Sequence, residues 1–83
     1  MKHIFIKIDL RIGGDEATSN TVLPVDDDQD IELYAQEYVK NFWGDGEEEY
    51  GSEWVTYPNE NIGRLNRVEQ ITEAEYEVLK RFI

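Results

Sequence analysis

Apolar and polar residues alternate without interruption over residues 3–12, with Ile4, Ile6, Ile8, Leu10 and Ile12 on one side of an extended chain and His3, Phe5, Lys7, Asp9 and Arg11 on the other. Branched aliphatics on one face and charged residues on the other predict a strand whose aliphatic face is buried. Gly13 and Gly14 end it. Residues 13–20 read as a polar loop, and Thr21, Val22, Leu23, Pro24 and Val25 as a short returning strand, with Pro24 confining it to an edge or a strand end.

Past Asp26, Asp27 and Asp28 the period changes. Ile31, Tyr34, Ala35, Tyr38, Val39 and Phe42 recur at helical spacing, which predicts a helix over 29–43. One of the three aspartates is expected to cap its first amides, and Gly44, Asp45 and Gly46 to stop it. Residues 47–52 read as an acidic loop. Trp54, Val55, Thr56 and Tyr57 have the aromatic and β-branched content of a third strand, closed by Pro58 and Asn59. Residues 64–71 form a fourth in which Leu65, Val68 and Ile71 break alternation, the mark of a bulge. Thr72 and Glu75 have the spacing of a capping box, so a second helix starts at Thr72, with Tyr76, Leu79, Phe82 and Ile83 as its apolar stripe.

The expected fold is therefore α+β: a small, mainly antiparallel sheet of about four strands in ββαββα order, with two helices packed on one face. At 83 residues the chain is one domain, spanning 1–83. Charged residues make up 33% of it and hydrophobic ones 40%, enough apolar content for a core but a thin one. There is no cysteine, which excludes disulfides, thiolate chemistry and Cys-based metal centres and favours a reducing compartment, so the expected location is the cytoplasm. Lys2 and Lys7 interrupt the apolar N-terminal stretch, so neither an export signal nor a membrane span is expected.

Charge changes the picture most. The net charge is −11, and it is unevenly spread: residues 1–12 carry three basic and one acidic residue, 13–53 one basic and thirteen acidic, and 54–83 four basic and five acidic. Direct binding to nucleic acid is disfavoured by that balance. A concentrated negative potential instead suits a basic protein partner, in the extreme case as a mimic of spaced phosphates. The candidate partner-binding residues are Asp26, Asp27, Asp28, Asp30, Glu32, Glu37, Asp45, Glu47, Glu48 and Glu49. Trp43 joins them as an aromatic anchor, since it follows Phe42 at a helix end and cannot point fully the same way. Against this stands the ordinary reading of such a charge run, a solubilising surface.

Other chemistry finds little footing. Asp26, Asp28, Asp30 and Glu37 match places one, three, five and twelve of an EF-hand calcium loop, but Ile31 stands where the sharp turn needs Gly and no helix precedes. No metal site or cofactor is expected, a weak calcium-responsive module being the third choice. His3 is the sole histidine and has no evident nucleophile beside it; Ser19 and Ser52 lack an elbow motif. The expected function is thus a non-enzymatic, protein-binding module acting through its acidic surface, an inhibitor or nucleic-acid-mimicking decoy. The alternative is an accessory homodimeric domain, joined by edge addition of the long first strand, with a merely solubilising acidic face.

Overall fold

A computed structural model describes residues 1–48 and 53–83. It is α+β, as the periodicities require, with seven elements: β1 (Lys2–Ile12), β2 (Asp15–Val25), α1 (Ile31–Lys40), β3 (Glu47–Glu48), β4 (Val55–Thr56), β5 (Ile62–Ile71) and α2 (Glu73–Leu79). All pairings are antiparallel, in the strand order β2-β1-β5-β4-β3. The sheet thus has five strands rather than four, because Glu47 and Glu48 pair with Thr56 and Val55 as β3.

β2 is also twice the expected length. Gly13 and Gly14 both have positive φ, 58° and 94°, the backbone of a two-residue hairpin turn, and Ile12 faces Asp15 immediately across it. Pairing then runs unbroken to Lys2 opposite Val25. The polar residues 15–20 belong to a strand because they lie at the sheet edge, where burial no longer demands an apolar face. β1 is paired on both sides, so the unpaired edge belongs to β2 and not to the first strand.

The core lies on the aliphatic face of β1. Ile4, Ile6 and Ile8 are fully buried there with Leu10, Val25, Val55 and Tyr57, and α1 covers them through Ala35 and Val39. Tyr34, Tyr38, Phe42 and Trp43 pack around the rim. The cap of α1 is Asp30, not one of the three preceding aspartates: its carboxylate accepts from the amides of Glu32 and Leu33 at 3.0 and 3.3 Å, because the helix begins two residues later than expected. It ends at Lys40, with Asn41 as C-cap, rather than at residue 43.

The two helices do not share a face. α2 contributes nothing to the core, and the ring of Tyr76 stacks on that of His3 at 4.6 Å, on the side opposite the buried isoleucines. Ile71 determines this: it is registered with His3 and so leaves β5 on that second face. The expected capping box is present, with the Glu75 amide donating to Thr72 Oγ1 and the Thr72 amide to Glu75 Oε1. That amide holds the Glu75 carboxyl below its ordinary value. Phe82 and Ile83, expected on the helical stripe, lie beyond its end and are exposed. Irregularity in β5 has a location too: Lys7 faces Arg67 and Ile8 faces Leu65, leaving Asn66 as the bulged residue.

Two consequences for stability follow from this frame. The β4–β5 hairpin turns through Glu60, which has φ of 70° where such turns favour glycine. Glu60→Gly is expected to raise stability by about 0.5–1 kcal/mol, seen as a melting temperature about 4 °C higher. Tyr57, 2% exposed, donates its hydroxyl hydrogen bond to the Val39 carbonyl and so ties β4 to the last turn of α1. Burial pushes its phenol up from 10.0 to about 12. The folded state therefore disfavours tyrosinate, and stability present below pH 10.0 is lost as pH rises toward about 12. The loss totals roughly 2–3 kcal/mol. Tyr57→Phe is expected to lower stability at neutral pH by about 1 kcal/mol and to flatten that alkaline decline, read from urea midpoints across pH.

Candidate functional site

Two charged surfaces result, one acidic and one of mixed sign. The first is the outer side of the α1 layer. Asp26, Asp27 and Asp28 are exposed in the turn between β2 and α1, Glu32 lies in the first helical turn, and Glu37 stands on the exposed side a turn later. Glu37 also lines an open cleft with Tyr34, Tyr38, Asn41 and Phe42. Asp45 follows the helix with φ of 46°, and Glu47 and Glu48 carry the exposed side chains of the β3 edge. Glu49 lies outside the described residues, as does Ser52.

These carboxylates divide by what they do for the fold. Asp30 caps α1, and Asp27 is paired with the N-terminal ammonium at 3.0 Å. Asp26, Asp28, Glu32, Glu37, Asp45, Glu47 and Glu48 make no ion pair among the described residues. Lys40 is the single basic side chain between residues 13 and 53. Their potential is thus left uncompensated and faces solvent. Trp43, proposed from sequence as an anchor, is half-buried: its ring meets Tyr57 edge-on at 5.1 Å and Phe42 at 5.0 Å.

The second surface was not anticipated. On the sheet face opposite α1, β1 turns out Lys7, Asp9 and Arg11, and β5 places Arg64 and Arg67 beside them. Arg64 pairs with Asp9 at 2.9 Å, and Asn66, freed by the bulge, donates to the same carboxylate at 3.1 Å. Those hydrogen bonds, that from Arg64 first, hold Asp9 below its ordinary value. Both Arg11 and Arg64 lie 4.7 Å from the ring of Trp54, and Arg67 stacks on Phe5 at 5.4 Å. Half of the eight Lys and Arg residues therefore gather here, with Arg64 and Arg67 also pairing with Glu53 at 3.9 Å and Glu69 at 3.6 Å, and Arg64 reaches a cleft it shares with Gln36, Val39 and Glu48. The available sequence signal was the odd-numbered side of β1, but its partners on β5 required the register.

His3 is covered by Tyr76, and Ser19 faces Ile8 across the β1–β2 pair, away from it. No group of three or more metal-ligating side chains occurs among the described residues. Nor is any described helix long and apolar enough to cross a membrane. No protein-family model, no curated protein and no solved structure matches the chain.

Proposed function

We propose that the protein is a small, non-enzymatic cytoplasmic binding module whose acidic α1 layer docks on a basic protein, as a decoy in a groove that otherwise holds nucleic-acid phosphates. One observation carries this reading: seven described carboxylates of that layer take no part in ion pairing, while Lys7, Arg11, Arg64 and Arg67 stand on the opposite sheet face, where Arg64 and Arg67 pair with Asp9, Glu53 and Glu69 instead. A surface meant only for solubility is better served by mixed signs. Separation instead gives the molecule a direction in an electric field, which orients it during encounter with a basic groove.

The test is capture from lysate on the immobilised protein at physiological salt, after nuclease treatment, with elution by a salt step. A nucleic-acid-handling protein that elutes with salt and is displaced by its own nucleic acid is the expected result. A column that retains nothing, or retains proteins indifferent to salt, contradicts it.

A further inference from the structure

The free edge of β2 points to a second copy of the chain. We infer that two molecules pair their β2 strands antiparallel about a two-fold axis at Thr21, joining their sheets into one. β2 is eleven residues long and pairs with β1 along its whole length, with no bulge on that side. Its other edge has no strand partner among the described residues, so every second residue turns an N–H and a C=O to solvent. Long, regular edges of this kind are usually blocked by lysine, by a bulge or by a covering segment. Here residues 17–25 hold no charge at all, in a chain that is 33% charged, and Pro24 interrupts the edge only near its end.

The dimensions suit such a joint. The molecule measures 36 Å along its longest axis, matching the length of the strand. Nine paired residues give a contact about 30 Å long. α1 packs on β5 and β1 and not on the edge strand, so the joint is about one sheet, roughly 10 Å, thick and covers roughly 600 Å² in total, below the size of a stable interface, which makes the dimer weak and concentration-dependent. Centring on Thr21 sets residues 17–25 of the copies against each other. It also brings Asp15 and Glu16 beside Asp27 and Asp26 of the second copy, like charges at both ends. Salt therefore strengthens this contact, the reverse of its effect on an acidic surface docked to a basic partner, so the two ideas fail separately.

Sedimentation equilibrium of the full chain over a range of concentrations and from low to high NaCl tests it. Expected is a monomer–dimer equilibrium that tightens about tenfold as salt rises. Thr21→Glu, which sets like charges face to face, is expected to weaken the dimer about fivefold at low salt, and mixing it with Thr21→Lys to restore association. Amide exchange on the unmodified chain gives a second reading that depends on no variant: β2 amides gain protection as concentration rises. A monomer under every condition overturns the inference, as does a dimer whose β2 amides stay unprotected and whose strength ignores both substitutions.

Discussion

Ile6→Ala is expected to lower stability by about 3–4 kcal/mol and the melting temperature by roughly 20 °C, the largest effect of any single truncation here. Ile6 is fully buried at the middle of β1, flanked on the same face by Ile4 and Ile8, and it faces Val68 on β5. Removing its outer carbons leaves a cavity that a two-sided strand cannot collapse, because β1 is held by β2 and β5 alike. A domain of this size has a total stability of only about 4–12 kcal/mol, so much of the population unfolds on warming. A thermal melt followed by circular dichroism reads the effect. A loss below about 1 kcal/mol would mean the core is centred elsewhere.

Gly46→Ala has a comparable effect through overpacking. A Cβ at this position would stand 2.4 Å from the Lys40 carbonyl oxygen and 2.4 Å from Val55 Cγ1. The Gly46 amide donates to that same carbonyl at 2.9 Å, so the backbone is drawn against the end of α1 and cannot retreat without losing the bond. Expected is a destabilisation of about 3 kcal/mol, read from the urea midpoint with an unchanged denaturant slope. The acidic residues 45, 47 and 48 are positioned by this close approach, so the variant also tests what holds the end of the acidic layer.

Much of this architecture was legible because burial writes itself as periodicity. The buried face of β1, apart from Ile12, which is exposed beside the hairpin turn, and the packed side of α1 are the positions the alternation and the helical spacing identified, and the capping box at Thr72 marked the start of α2. What escaped the sequence has a physical reason in each case. Residues 15–20 are strand without an apolar pattern, since an edge needs only backbone pairing; Gly13 and Gly14 were the available sign of it. β3 is two glutamates whose state depends entirely on β4 beside them. Placement of α2 on the second face depends on the register of Ile71, a long-range fact. For the site, charge along the chain located the acidic layer, but only the pairing of β1 with β5 brought Arg11, Arg64 and Trp54 together.

Asp26, Asp28, Glu32 and Glu37 offer the most direct test, because their side chains hold no hydrogen bond or ion pair among the described residues, unlike Asp30 and Asp27. The decisive measurement is capture by the variant Asp26→Asn, Asp28→Asn, Glu32→Gln, Glu37→Gln beside the unmodified protein, with melting curves to confirm an equal fold. Partner retention reduced about tenfold or more at physiological salt, and less affected at low salt, is the predicted result. Equal retention by a folded variant would contradict the account and leave the acidic layer as a solvated surface.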